Sequence, residues 1–241
     1  MPPRFFAPDL SGSDVPVVLP DDEAGHLTRV LRLGTGDTVS VFDGRGVEYL
    51  ARIERVSPRR VVVRPYESVV PAPEPEVALT VAPALLKGRK FDDVVRDVTM
   101  VGAVAVQPLL TARTEARARD TDRWTRIAVA SAKQCRRAVV PKVRAPRSFR
   151  SLLDDDRSLV RLLLVEPGTV GAGGTLQCLQ DRPPPATATL AVGPEGGWSG
   201  EEVAAATAAG FVPVTLGRRT LRADAVVLCA VSVLQYVWGD L

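Results

Sequence analysis

Two glycine-bearing segments in the C-terminal third carry the residue types best suited to holding a ligand. The first, Gly193-Pro194-Glu195-Gly196-Gly197, directly follows the apolar run 187–192. It precedes Ser199 with Glu202 three residues on, the pattern of a helix N-cap closed by a capping box. Glycines let a backbone approach a bound molecule closely, and strand carboxyl ends in an open α/β sheet form the binding crevice. The second segment, Leu216-Gly217-Arg218-Arg219-Thr220-Leu221-Arg222-Ala223-Asp224-Ala225, lies between another short apolar run and a strongly hydrophobic stretch. Its arginines read either as crevice charges or as surface charges, and Asp224 either as a working acid or as a favourable anion at a helix start. A third cluster, Gly171-Ala172-Gly173-Gly174, lacks the glycine spacing and the acidic residue of a dinucleotide fingerprint and reads as a loop.

Other chemistries have little raw material. The chain has a single histidine, His26, and three widely spaced cysteines, Cys135, Cys178 and Cys229. A Cys/His metal centre, a histidine relay and a disulfide framework are therefore not expected. The cysteines fit a reducing compartment, and the first ten residues lack the basic-then-apolar run of a secretory signal, so a cytoplasmic location is expected. No apolar stretch approaches the roughly 20 residues of a membrane span. Net charge is only +3, yet between Arg113 and Arg150 twelve basic residues face three acidic ones. Such a run suits either a polyanionic partner, whose counterions it displaces, or a solvated helix face. His26, within His26-Leu27-Thr28-Arg29-Val30-Leu31-Arg32, reads as a partner contact beside its arginines or as an ordinary packing histidine.

The elements that must position these residues fall into two parts. At 241 residues and 46% hydrophobic composition, the chain can bury a sizeable core. Residues 16–19, 38–42, 47–53 and 61–65 are short β-rich runs separated by turn signals such as Asp43-Gly44, which predicts a small β-barrel over 1–69. Pro71, Pro73 and Pro75 then stiffen a connector. From 77 to 241 the pattern becomes strand, helix, strand and predicts an α/β domain with a largely parallel sheet. Strands are expected at 77–81, 104–110, 161–165, 187–192 and 212–216. Helices are expected from Lys90 (with Phe91, Val94, Val95, Val98 and Val101 on one stripe) and over 123–138, 201–209 and 225–238.

With these residues assembled, the chain resembles the ribosomal RNA small-subunit methyltransferase E family, within the SPOUT class of knotted methyltransferases. The resemblance runs along essentially the whole length. It is carried by Arg4-Phe5-Phe6, the His26 to Arg32 string, Leu86-Lys87-Gly88, Gln107-Pro108, Ala132-Lys133-Gln134-Cys135-Arg136-Arg137 with Val140-Pro141, Gly193 to Gly197, and Leu216-Gly217 with Leu221-Arg222.

The resemblance implies an N-terminal PUA-like barrel, a C-terminal domain with a trefoil knot, a homodimer, and methylation of uridine N3 in small-subunit ribosomal RNA with S-adenosylmethionine as methyl donor. It implies that the cofactor is held by Val165, Glu166, Gly193, Pro194, Glu195, Gly196, Gly197, Leu216, Gly217, Leu221, Arg222, Ala223 and Ala225. Arg137, Asp224 and Arg222 are the expected catalytic groups: Arg137 to stabilise charge on the uracil ring, Asp224 as base, and Arg222 there or in organising the cofactor pocket. Arg4, His26, Arg29, Arg32, Lys87, Arg136 and Lys142 are the expected RNA contacts. Two departures stand out. Thr99-Met100-Val101-Gly102 replaces the usual Thr-Glu-Leu-Gly, and Asp224-Ala225-Val226 replaces Glu-Thr-Ala, shortening one carboxylate and removing a hydroxyl. Competing readings are a SPOUT enzyme acting on transfer RNA or a ribose hydroxyl, an RNA-binding protein without catalysis, and, last, a nicotinamide-dependent oxidoreductase.

Overall fold

The β-rich runs at the N-terminus fold, in the computed structural model, into a five-stranded half-barrel. The structure describes residues 2–57, 60–115, 121–169, 174–180 and 182–241, without the side chain of residue 178. It divides into two units: Met1–Glu74 with Val129–Val140, and Pro75–Ala128 with Pro141–Leu241. The Gly171-Ala172-Gly173 cluster and Arg117 and Arg119 of the basic run lie outside the described residues.

In the first unit the strands are β1 (Arg4–Phe6), β2 (Val17–Val18), β3 (Thr38–Phe42), β4 (Glu48–Ser57) and β5 (Arg60–Ser68), in the order β1-β3-β4-β5-β2. All pairs are antiparallel except β1 with β3, which is parallel. Register shifts at Leu50/Ala51 and Ile53/Arg55 bend β4 and help the sheet curl around its apolar side chains, among them Phe5, Leu19, Leu27, Val41 and Ile53. Strand β1 is three residues long, too short for alternation to mark it. After β2 comes α1 (Asp21–Gly25), which continues as a π-helical turn over His26–Val30.

Residues 129–140 belong to this unit and are held by Arg4. Its Nη1 donates to the carbonyls of Ala132 and Lys133, its Nη2 to that of Arg137 and to Glu48 Oε2, and its Nε to Glu48 Oε1. A guanidinium has five N–H donors, and this one uses all of them. It thereby caps the carbonyl end of helix α3 (Thr121–Cys135), where a cation also meets the negative end of the helix dipole. Arg136 closes that helix in the left-handed conformation, at φ +66°.

In the second unit six parallel strands form one sheet: β6 (Ala78–Pro83), β7 (Ala105–Val106), β9 (Lys142–Val143), β11 (Val160–Leu164), β12 (Thr187–Val192) and β13 (Val212–Val214). Their order is β13-β11-β12-β6-β7-β9, so the chain builds outward from β6 in one direction and then switches to the other side. The expected strand 104–110 is two strands, β7 and β8 (Leu109–Leu110). Pro108 has no N–H for a ladder, and the buried Gln107 amide instead donates to the carbonyls of Pro108 and Ala145. β8 pairs with β10 (Arg147–Ser148) outside the main sheet.

The flanking helices are α2 (Lys90–Met100), α4 (Phe149–Asp155), α5 (Gly200–Ala208) and α6 (Ala223–Val237). α2 buries Phe91, Val94, Val95 and Val98 of the predicted stripe, with Phe91 against Trp124 at 4.5 Å between ring centres, while Val101, the stripe's last member, caps the helix end and is half-buried. α5 opens with the expected capping box between Ser199 and Glu202. Among the described residues no helix is long and apolar enough to cross a membrane.

Candidate functional site

The carboxyl ends of β13, β11 and β12 lie side by side, because these are adjacent parallel strands of one sheet. The loops that leave them line a cavity of about 340 Å³, within the range of small-molecule sites. The first loop supplies Val165, Glu166, Pro167 and Thr169; the second, residues 193–198; the third, Leu216 and residues 219–222. Ala223 and Val226, three apart in the first turn of α6, add to the wall, as do Lys90 and Arg113.

The second loop is gripped from two sides. Glu195 Oε1 accepts from Lys90 Nζ at 2.9 Å and from the backbone N–H of Lys87 at 3.3 Å. Arg113 Nη1 donates to the Gly196 carbonyl at 2.7 Å. The glycines bring the backbone close to its neighbours: a Cβ at Gly193 would meet Trp198 at 3.2 Å, and one at Gly196 would meet the Arg113 side chain at 3.3 Å, tight contacts to which those side chains would have to yield. Gly197 has φ +67°, which an L side chain adopts only with strain. Trp198 donates from Nε1 to the Leu164 carbonyl at 2.9 Å and stacks on Phe149 at 4.4 Å, so the loop's far end is anchored in the core.

The end of β13 is bonded on both sides by the single connection between β11 and β12. Val165 N donates to Val214 O at 2.9 Å on one side. On the other, Thr215 N donates to Gly174 O at 3.0 Å and Leu176 N to Thr215 O at 3.3 Å. The third loop starts from this doubly held strand end.

Two carboxylates at the site sit below their ordinary pKa. Partial burial pushes Glu195 up, but the hydrogen bond from Lys90 and the backbone N–H groups of Glu195 and Lys87 outweigh it. Asp224 behaves likewise: partial burial raises it, and the Arg222 hydrogen bond, its own backbone N–H, and the Arg222 and Lys90 charges bring it down. Arg222 holds Asp224 through Nε and Nη2, at 3.2 and 2.9 Å. Both acids are anions at neutral pH and poor proton acceptors.

A family model for an RNA methyltransferase domain matches residues 73–235, and one for an RNA methyltransferase PUA domain matches residues 19–66. Ribosomal RNA small subunit methyltransferase E of Synechocystis sp. is 36% identical over 209 residues, 86% of this chain and 68% of that protein. The protein of the same name from Mycobacterium bovis is 31% identical over 97% of this chain and 92% of its own length. The chain belongs to the ribosomal RNA small subunit methyltransferase E family. It therefore has the family's two-part build, a PUA-like unit followed by a SPOUT methyltransferase fold. Among solved structures, the family protein of Neisseria gonorrhoeae, bound to S-adenosyl methionine, superposes with a TM-score of 0.89 at 29% identity, over 99% of this chain and 98% of that one. A methyltransferase from Legionella pneumophila with bound SAM gives 0.88 at 26% identity, over 98% of both chains.

Of the residues expected to hold the family's cofactor, Val165, Glu166, Gly193, Pro194, Glu195, Gly196, Gly197, Leu216, Leu221, Arg222 and Ala223 line the cavity. Gly217 and Ala225 do not. Gly217, at φ +70°, makes the turn that re-aims the loop, and Ala225 is exposed, about 100° around α6 from its lining neighbour Val226. Lys90, Arg113 and Trp198 were not among the expected residues. Trp198 directly follows the glycine loop and Lys90 opens a helix beside Lys87, but only the folded chain brings Lys90 and Arg113 to that loop.

Arg137 is not among the residues that line the cavity. It is 4% exposed, and Glu74 accepts from its Nε at 3.1 Å and from its Nη2 at 2.5 Å within the first unit. Arg4 spends its guanidinium donors within the first unit. His26, Arg29, Arg32 and Arg136 are exposed on the first unit. Lys87 and Lys142 are exposed on the second, Lys87 in an ion pair with Glu115.

Proposed function

We propose that the protein transfers the methyl group of S-adenosylmethionine to N3 of a uridine in small-subunit ribosomal RNA. The observation that carries this reading is the convergence of three parallel strand ends on one cavity, within a chain of this family. The site fits the cofactor: bare glycine backbone at 193, 196 and 197 admits a flat ring closely, Trp198, Leu221 and Val226 offer apolar wall, and the charged groups suit a polar tail. When bound, S-adenosylmethionine supplies a methyl group on a cationic sulfur.

The protein's part is to orient the acceptor and manage its proton. Uridine N3 bears a hydrogen, so attack requires proton loss and the ring becomes anionic as it proceeds. Asp224, held acidic by Arg222, is a weak base; the proton leaves to water, and the anionic ring is stabilised by a cation. Arg222 lines the cavity and is that cation in this reading. Preorganised donors of this kind are worth about 100- to 1,000-fold in rate.

The same reading includes a homodimer, a cytoplasmic site of action and a trefoil knot, with the β11–β12 connection encircling the chain where β13 ends. The two-sided bonding of Val214 and Thr215 supports the last. RNA docks on the exposed side chains of His26, Arg29, Arg32, Arg136, Lys87 and Lys142. Mass mapping of small-subunit ribosomal RNA from cells with and without the protein tests the function. Loss of one methyluridine on deletion, restored by the gene, is expected; unchanged ribosomal RNA with an altered transfer RNA would redirect the substrate.

A further inference from the structure

Among the described residues four cations line the cavity, and three are committed to protein acceptors. Lys90 is tied to Glu195, Arg113 to the Gly196 carbonyl and Arg222 to Asp224. Arg219, in the third loop, lines the same cavity with no hydrogen bond or ion pair among the described residues. On the acidic side, Glu195 is paired, whereas the Glu166 carboxylate in the first loop has no such partner among them. Among the described residues the cavity thus keeps one uncommitted charge of each sign, on loops leaving the adjacent strands β13 and β11.

We propose that Arg219 and Glu166 together read the charged amino-acid tail of the cofactor, Arg219 binding its carboxylate and Glu166 its ammonium group. This rests on the cofactor reading above. A guanidinium presents its donors in a planar fork that matches a carboxylate, and a ligand carrying both signs is complementary to two opposite charges left unpaired in its absence. A ligand with adenosine but no amino-acid tail gains nothing from either group. Arg218, next in sequence, is exposed and does not line the cavity, so it serves as an internal control.

The test is calorimetry with two ligands, S-adenosylhomocysteine, which has the tail, and 5′-methylthioadenosine, which lacks it. Arg219→Gln should weaken S-adenosylhomocysteine about ten- to a hundredfold, the usual scale for a lost charged hydrogen bond, and leave methylthioadenosine unchanged. Glu166→Gln should act in the same direction, and Arg218→Gln should change neither ligand. Thermal melting of each variant verifies folding, and Arg219→Lys, which keeps the charge, should recover part of the affinity. Unchanged S-adenosylhomocysteine binding by Arg219→Gln, or equal loss of both ligands, overturns the proposal while the cofactor reading stands. Failure of the wild-type protein to bind S-adenosylhomocysteine removes both.

Discussion

Lys90 Nζ donates to Glu195 Oε1 at 2.9 Å, fastening the first residue of α2 to the glycine loop 105 positions later. This tie and the Arg113 contact to Gly196 set where the loop's backbone lies. Lys90→Met should loosen the loop and weaken cofactor binding several-fold with little change in melting temperature, since the pair is partly exposed. Equal affinity in wild type and variant, by calorimetry, would remove Lys90 from loop positioning.

The same pair sets a pH dependence. Glu195 has a folded pKa below its ordinary value, so its stabilising contribution is present above the unfolded pKa and is lost as pH falls through the folded one. Cofactor affinity should therefore hold steady from neutral pH down to the usual carboxylate range and decline only below it. Glu195→Gln should flatten that acid limb. A limb of unchanged midpoint in this variant would assign the titration to another group.

Gly196→Val introduces a branched side chain where even a Cβ comes within 3.3 Å of Arg113. The expected outcome is a folded protein without measurable cofactor binding. Gly197→Ala should cost about 1 kcal/mol through its positive φ and weaken binding less. Chemical denaturation and calorimetry on the same samples separate the two effects.

Arg222 and Asp224 differ in expected kinetic weight. Arg222→Ala should lower the single-turnover rate at saturating RNA and cofactor by about 100- to 1,000-fold. Asp224→Asn should stay within several-fold of wild type, because an acid held so low accepts protons poorly. A loss of a hundredfold or more in Asp224→Asn would make it the base after all.

Arg4 and Arg137 are predicted to matter for stability. Removing Arg4 leaves the buried Glu48 without its cation and three carbonyls uncapped, and removing Arg137 breaks the pair with Glu74. Arg4→Ala should cost about 3 kcal/mol or more by denaturant titration, and Arg137→Ala less, because the half-buried Glu74 carboxylate regains water. Neither should alter the salt dependence of RNA binding in protein that remains folded. Exposed Arg136 and Lys142 should behave oppositely, each replacement flattening the log-log salt slope by about 0.7 to 0.9.

Strands and helices are legible in the sequence wherever the period is long enough to be read. The α2 stripe, the run 187–192 and the Ser199 capping box all appear where alternation, helical spacing and cap chemistry put them. The sequence also marked both glycine loops, because glycine and proline after an apolar run carry local information about backbone conformation. It missed β1, which exists through pairing with β3 and has too few residues to show a pattern. It read one strand across Pro108 where the missing N–H ends one and starts another. The roles of the arginines belonged wholly to tertiary structure. A guanidinium looks the same in sequence whether it closes a helix, like Arg4, pairs in a core, like Arg137, or stands uncommitted in a cavity, like Arg219. Partners 44 to 133 residues away make that choice, through the burial and hydrogen-bond geometry that only the folded chain creates.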